Sequence, residues 1–166
     1  MGGSEKSTMS KRLAILWDND GVLVDTEKWF FEANRRALAE LGVEVTWGQF
    51  EEINLKRGES LLPLSGLQGD ALRDLFAHRD ALYSELLRSE DIAIPGMAEL
   101  LAELKGNFLM GIVTASHHGH FEIIHGRAGI LRHVEFAVVR EDYPHGKPAP
   151  DGYLAGIDKT GLGVDR

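Results

Sequence analysis

Four polar residues stand at or just beyond the ends of short apolar runs, and their types suit phosphoryl chemistry. Asp18 and Asp20 follow one run, Thr114 ends a second, and Lys147 lies beyond a third. One carboxylate can attack an electrophile to form a covalent intermediate while a neighbouring carboxylate transfers protons. A hydroxyl and an ammonium can hold phosphate oxygens, and Mg²⁺ takes oxygen ligands that it shares with substrate phosphate. The set therefore fits metal-assisted phosphoryl transfer to Asp18.

The apolar runs predict three buried strands, at residues 13–17, 108–113 and 134–139. Amphipathic stretches between and after them predict helices at 27–41, 46–56, 70–88, 97–105, 118–128 and 149–160. Alternating strands and helices predict an α/β fold with a doubly wound parallel sheet. Because the carboxyl ends of parallel strands meet at one edge, we expect the four polar residues to share one site.

The spacing of these residues predicts an insertion. The segment between Asp18 and Thr114 is roughly three times as long as that between Thr114 and Lys147, which fits one βαβ unit. The excess is too long for a loop and is itself helical, so it predicts an inserted helical cap at residues 26–92. The core is then formed by residues 11–25 and 93–166, and the cap lies over the ligand-binding edge of the sheet.

Composition narrows the classes of function. The chain has 166 residues, a formal net charge of −8 and no cysteine, which disfavours nucleic-acid binding and excludes disulfides and thiolate metal sites. No apolar run approaches the ~20 residues of a membrane-spanning helix. The start, MGGSEKSTMSKR, lacks the apolar region of a signal peptide. We therefore expect a cytoplasmic monomer or weak dimer that binds neither nucleic acid nor membrane.

Each polar residue also has a simpler explanation when taken alone. Asp-Asn-Asp-Gly at 18–21 is a common turn sequence, a threonine often ends a strand, and a loop lysine is usually solvated. Their joint occurrence in order, each at or beyond a strand end, is much more specific than any one of them.

Three motifs resemble the haloacid dehalogenase superfamily, in the branch with a helical cap that includes phosphoglycolate phosphatases and β-phosphoglucomutases. They are WDNDGVLVDTE at 17–27, IVTAS at 112–116 and REDYPHGKPAPDGYL at 140–154, and the resemblance covers residues 13–166. It implies that Asp18 is the nucleophile that becomes an aspartyl phosphate and that Asp20 is the acid/base. It also implies that Mg²⁺ is bound by the Asp18 carboxylate and the Asp20 main-chain carbonyl.

The resemblance assigns the remaining residues to substrate binding. Thr114, with the backbone at Ala115 and Ser116, would hold the phosphoryl oxygens, and Lys147 would tie the nucleophile to the phosphate. In the cap, Lys56 and Arg57 are placed where related caps present cationic groups to the substrate. A solvated helix end explains that last pair equally well.

Two departures from the family pattern stand out. Trp17 and Asn19 replace the usual Phe and aliphatic residue, and we expect both to be tolerated because the family uses main-chain groups or packing there. In the family, a fourth strand with acidic residues completes the Mg²⁺ site, and it would begin soon after residues 161–166. The resemblance therefore implies a chain truncated before that motif. A catalytically incomplete fragment, acting as a binding or scaffold protein, is an open alternative.

The expected function is Mg²⁺-dependent hydrolysis of a phosphomonoester, with a small phosphorylated metabolite as substrate. Asp20 disfavours dehalogenases and phosphonatases, which lack an aspartate at that position. A β-phosphoglucomutase-like mutase is the alternative, but such enzymes use a histidine on the hinge helix where this chain has Phe30, which cannot transfer a proton.

Histidines at 117, 118 and 120 form a short cluster after the second motif. Such clusters are usually surface features, so a transition-metal site is not expected there. The start of the predicted helix at 118–128 could instead assist anion binding.

Overall fold

The computed structural model describes residues 13–162, which contain a three-stranded parallel sheet. Its strands are β1 (Ala14–Trp17), β2 (Leu109–Val113) and β3 (Phe136–Val138), in that order. Trp17 lies opposite Ile112 in the β1–β2 pair, and Val113 lies opposite Val138 in the β2–β3 pair. The predicted α/β fold with a parallel sheet is therefore confirmed.

The third strand is shorter at both ends than the sequence pattern predicted. The Val134 N–H donates to Leu131 O in a 3₁₀ turn, so this residue is not available to the sheet. At the other end the Val139 N–H donates to the Asp142 carboxylate. Local hydrogen bonds therefore hold both flanking residues outside the strand ladder.

Six α-helices are present in residues 13–162: α1 (Glu27–Ala39), α2 (Trp47–Phe50), α3 (Gly69–Ser89), α4 (Met97–Leu104), α5 (His118–Ala128) and α6 (Asp151–Thr160). A capping box starts α2, because the Gln49 N–H donates to Thr46 Oγ1 and the Gln49 side chain accepts from the Thr46 N–H. The helix then widens into a π-helical turn over Glu51–Lys56. A 3₁₀ turn, Leu62–Ser65, lies between the segments predicted as helices at 46–56 and 70–88.

Helices α1 to α3, which follow β1 and precede β2, are called the cap helices below. They have an apolar core of their own, formed by Leu38, Phe50, Leu61, Leu62 and Leu75. The second half of α3 packs instead, through Tyr83, Leu86 and Leu87, into the core around the sheet. Because α3 contributes to both cores, it fixes the cap helices against the sheet.

Close packing between α6 and the sheet fixes the chain just after Lys147. Gly152 and Gly156 are buried where α6 faces β2. A Cβ atom at Gly156 would lie 2.8 Å from the Val113 side chain and 3.1 Å from that of Leu16. Only glycine lets the helix approach the strands this closely.

Some expectations fall partly outside the described residues. The division into a core at 11–25 and 93–166 and a cap at 26–92 remains a prediction, and residues 11–12 and 163–166 lie outside the described part. The N-terminal segment MGGSEKSTMSKR, expected not to be a signal peptide, also lies outside it. Between residues 13 and 162, no helix has both the length and the apolar character needed to cross a membrane.

Candidate active site

A cavity of about 540 Å³ lies between the carboxyl edge of the sheet and the cap helices. Asp18 and Asp20 reach it after β1, Ala115 and Ser116 reach it after β2, and Lys147 reaches it from the loop after β3. The structure therefore brings these residues together at the edge where parallel strands end. The side of the cavity formed by the cap includes Phe30, Phe50, Lys56, Arg79, Asp80 and Tyr83.

Asp18 and Lys147 form an ion pair at the cavity. Lys147 Nζ lies 2.6 Å from Asp18 Oδ2, and the Asn19 N–H donates to Asp18 Oδ1 at 2.8 Å. Burial opposes the charge of Lys147, but its hydrogen bond to Asp18 and the negative charge there outweigh burial and raise the lysine pKa. The lysine is therefore an ammonium at neutral pH, fixed against a candidate nucleophile.

Asp20 is held by three hydroxyl groups from two parts of the chain. Its Oδ1 accepts from Thr26 Oγ1 at 2.6 Å, and its Oδ2 accepts from Ser116 Oγ at 2.7 Å and Thr114 Oγ1 at 3.1 Å. Thr114 Oγ1 also accepts from the Ser116 N–H. The Thr114 hydroxyl, predicted to hold phosphoryl oxygens, thus contacts Asp20 here, and its role towards substrate remains a prediction.

The loop after β1 is shaped by its own backbone. The carbonyl of Asn19 accepts hydrogen bonds from the N–H groups of Val22, Leu23 and Val24. Gly21 has a φ of +74°, and a Cβ atom there would lie 2.7 Å from a carboxylate oxygen of Glu27. Glycine at this position therefore both permits the turn and leaves room for Glu27.

Carboxylates are concentrated where the loop after β1 and the start of α1 line the cavity. Glu27 lines it together with Asp18 and Asp20. Burial and then the negative charges of Asp20 and Asp18 raise the pKa of Glu27. Oxygen-only donors of this kind suit Mg²⁺. Within residues 13–162, however, no group of three or more acidic or histidine side chains is arranged to hold a metal ion, so these residues supply only part of a ligand set.

The two cationic residues predicted in the cap are placed differently. Lys56 lines the cavity, with its side chain 60% exposed and paired to Glu52 at 3.3 Å. Arg57 is not among the lining residues, and its guanidinium pairs with the same Glu52 at 2.9 Å. The next residue, Gly58, brings the loop against the sheet side, since a Cβ atom there would lie 3.1 Å from Lys147 O.

A buried arginine in the cap was missed by the sequence reasoning. The Arg79 side chain is only 9% exposed, and it donates to Asn34 Oδ1 at 3.2 Å and to Asp80 at 2.7 Å. Its guanidinium lies 4.6 Å from the centre of the Phe30 ring. The available signal was its spacing, because position 79 lies four residues after Leu75 on the apolar face of α3.

The histidine cluster does not form a shared metal site within the described part of the chain. His117 Nδ1 lies 2.9 Å from Glu141 Oε1, and the His118 N–H donates to the same carboxylate. The N-terminus of α5, expected to assist anion binding, is therefore occupied by an internal carboxylate. His120 packs edge-on against Tyr83, and burial lowers its pKa.

Comparisons with known proteins agree with this architecture. A family model described as haloacid dehalogenase-like hydrolase matches residues 13–166. The chain is 31% identical over 150 residues to (DL)-glycerol-3-phosphatase 1, mitochondrial, of Arabidopsis thaliana, covering 85% of this chain and 50% of that protein. (DL)-glycerol-3-phosphatase 2 of the same plant is 28% identical, with 85% and 62% covered. The chain thus spans between half and two thirds of the length of these relatives.

A solved structure supports the fold independently of close sequence similarity. A HAD hydrolase of family IA, variant 3, from Entamoeba histolytica superposes with a TM-score of 0.78 at 21% identity. The superposition covers 90% of this chain and 71% of that one.

Proposed function

This chain belongs to the haloacid dehalogenase-like hydrolases, and on that premise we propose that it hydrolyses phosphomonoesters of a small phosphorylated metabolite through an aspartyl-phosphate intermediate. One observation carries the proposal. Asp18 is fixed by Lys147 at 2.6 Å, and Asp20, two residues away, lines the same cavity. A nucleophile, a charge-neutralising ammonium and a second carboxylate for proton transfer are the groups that this reaction needs.

In the first half of the reaction, a carboxylate oxygen of Asp18 attacks the phosphorus of the substrate. The bond between phosphorus and the ester oxygen breaks, and Asp20 donates a proton to the leaving alcohol. Lys147 reduces the repulsion between the anionic nucleophile and the phosphate, since its ammonium contacts Asp18 directly.

In the second half, Asp20 accepts a proton from water and the resulting hydroxide attacks the phosphorus. The bond from phosphorus to the Asp18 oxygen breaks, which releases inorganic phosphate and restores the carboxylate. The hydroxyls of Thr26 and Ser116 keep Asp20 in place through both halves. Its oxygens therefore need no reorientation between donating and accepting the proton.

Mg²⁺ is the proposed cofactor. The Asp18 carboxylate and the main-chain carbonyl of Asp20 would hold it, and it would supply a Lewis acid that neutralises phosphate charge. The acidic crowding around Glu27 fits a site that takes a cation.

Hydrolysis is favoured over mutase chemistry by the cavity wall of the cap. Phe30 lines the cavity where a mutase would need a proton-transferring histidine, and it packs against Tyr83 with ring centres 5.0 Å apart. Both plant relatives are named as glycerol-3-phosphatases. A small hydroxylated phosphate ester is therefore the proposed substrate class, with Lys56 of the π-helical turn and Arg79 of α3 contributing to its selection.

The direct test is Asp18→Asn in the full-length protein, assayed with p-nitrophenyl phosphate. Loss of the nucleophile should lower kcat by at least about 1,000-fold, because an amide oxygen is a much weaker nucleophile than a carboxylate oxygen. Asp158→Asn on the exposed face of α6 is the matched control and should leave kcat unchanged. Activity retained in Asp18→Asn would remove this residue from the proposed role.

A second assay separates hydrolysis from isomerisation. Incubation with a hexose 1-phosphate should release inorganic phosphate. Formation of the 6-phosphate isomer without net phosphate release would overturn the proposal in favour of a mutase.

A further inference from the structure

A buried histidine lies behind the acid/base candidate and is not explained by the proposed mechanism. His125, on α5, is 6% exposed, and its Nε2 lies 2.9 Å from Oδ1 of Asn19, which is fully buried. The other end of the Asn19 amide, Nδ2, donates to Asp20 Oδ2 at 3.3 Å. Two successive polar contacts therefore join His125 to Asp20 through the side chain of Asn19, which lies between Asp18 and Asp20 in the sequence.

Chemistry fixes the direction of each hydrogen bond in this line. An amide oxygen can only accept, so His125 Nε2 must carry a proton. Nδ1 of the same ring is buried and has no hydrogen-bond partner among the described residues. Burial lowers the pKa of His125 to about 4, so the ring is neutral at physiological pH and Nδ1 is a bare lone pair. A buried lone pair costs less than a buried charged ring with an unpaired N–H would.

The opposite orientation of the Asn19 amide is disfavoured at both ends. It would turn the amide oxygen towards the Asp20 carboxylate, placing two acceptors against each other. It would also turn the NH₂ group towards His125 Nε2, so the ring would have to carry its proton on Nδ1, which is buried and has no hydrogen-bond partner among the described residues. His125 and Asp20 together therefore select the one orientation in which Asn19 donates to Asp20.

We propose that His125 is a positioning residue for the hydrolytic reaction: through Asn19 it keeps the Asp20 carboxylate aimed for proton transfer to the leaving group. Asn19 is then more than a tolerated replacement for an aliphatic residue, because its side chain links two parts of the core. This inference rests on the proposed function, since it assigns Asp20 the acid/base role.

The test uses two phosphate esters that differ in how much they need an acid. The leaving group of glycerol 3-phosphate is an alkoxide and must be protonated, whereas p-nitrophenolate leaves readily without a proton. His125→Leu should lower kcat/KM for glycerol 3-phosphate by about fivefold, the effect of one net hydrogen bond. For p-nitrophenyl phosphate the decrease should be less than about twofold. A merely structural role would lower both values equally.

Conservative and control variants sharpen the comparison. His125→Gln keeps an N–H donor for Asn19 and should restore most of the lost kcat/KM for glycerol 3-phosphate. Combining His125→Leu with Asn19→Leu should be no worse than Asn19→Leu alone, because the two residues act as a unit. His133→Leu is the matched control: this histidine is 8% exposed but contacts Arg132, away from the cavity.

A measurement on the unsubstituted protein keeps the inference testable even where variants fail to fold. The ¹⁵N chemical shifts of His125 should show the neutral tautomer protonated at Nε2. A ring protonated at Nδ1 would overturn the proposal, as would equal losses for the two esters or an unchanged kcat/KM in folded His125→Leu. If Asp18→Asn keeps its activity, the proposed function fails. If Asp18→Asn is inactive but His125→Leu has an unchanged kcat/KM, only the positioning role of His125 is rejected.

Discussion

The sheet edge and the π-helical turn of the cap hold their polar groups in opposite ways. At the sheet edge, Asp20 accepts hydrogen bonds from Thr114 and Ser116, which are 94 and 96 residues away in the chain. At the end of the π-helical turn in the cap, Lys56 and Arg57 are more than half exposed and pair with Glu52, four and five residues away. The first arrangement depends on the whole fold, and the second depends on a single turn.

This difference separates the residues proposed to carry out the reaction from those proposed to select the substrate. In the proposed reaction, short, partly buried hydrogen bonds between distant segments would preorganise the groups that transfer the phosphoryl group and the proton. Exposed ion pairs are worth little, about 0–1 kcal/mol, so a cap lysine can exchange its glutamate for a substrate anion at little cost. Substitutions at the sheet edge should therefore affect kcat, and substitutions at the cap should affect KM.

After that of Asp18→Asn, the largest expected effect is that of Lys147→Met. It removes the ammonium that contacts Asp18, and kcat for p-nitrophenyl phosphate should fall by about 100-fold. Steady-state kinetics measures this, with Lys159→Met on α6 as the control that should match the parent protein. A loss confined to KM would show that the lysine only binds substrate, which would weaken the contrast between the two regions.

Thr26→Val should have a smaller effect on the same step. The two side chains are similar in volume, but valine cannot donate to Asp20 Oδ1, so kcat should fall by about tenfold with KM unchanged. Thr160→Val provides the comparison, because the Thr160 hydroxyl donates to the Ile157 carbonyl and accepts from the Leu162 N–H at the end of α6. An unchanged kcat in Thr26→Val would mean that Ser116 and Thr114 alone are sufficient to hold Asp20.

In the cap, Lys56→Met should raise KM for glycerol 3-phosphate by about threefold and leave kcat unchanged, as expected of an exposed charge near the substrate. Arg57→Met serves as its neighbour control and should change neither value, since Arg57 does not line the cavity. Equal effects of the two substitutions on KM would indicate that both cations act on the substrate through long-range electrostatic attraction and not through contact.

The smallest expected effect concerns the stability of the cap helices. Hydrogen bonds from Arg35 and then Arg36 lower the pKa of Glu32 to about 2 against the opposing effect of burial. The folded-state pKa is below the unfolded one, so this stabilisation is present above about pH 4.5 and is lost as the pH falls towards 2. Urea unfolding of Glu32→Gln should show a loss of about 0.5 kcal/mol at pH 6 that shrinks at pH 3. A constant difference at both pH values would exclude the charge as its source.

The convergence of Asp18, Asp20 and Lys147 could be predicted from the sequence because parallel topology alone places strand ends at one edge. The helix start at Thr46 was also predictable, since a capping box depends on two residues that are only three positions apart, here Thr46 and Gln49. The pairing of His125 with Asn19 could not be, because it joins residues 106 positions apart. Nor could the π-helical turn at Glu51–Lys56, because the sequence pattern there predicted an ordinary continuous helix.

One feature of the loop after β1 makes its side chains unusually good experimental probes. Three consecutive N–H groups converge on the single carbonyl of Asn19, so the path of this loop is set by main-chain atoms that every variant retains. Replacing Asp18 or Asp20 by asparagine removes charge while leaving that framework in place. Catalytically dead forms made in this way should crystallise isomorphously with the parent protein and should be suitable for trapping the natural ester intact.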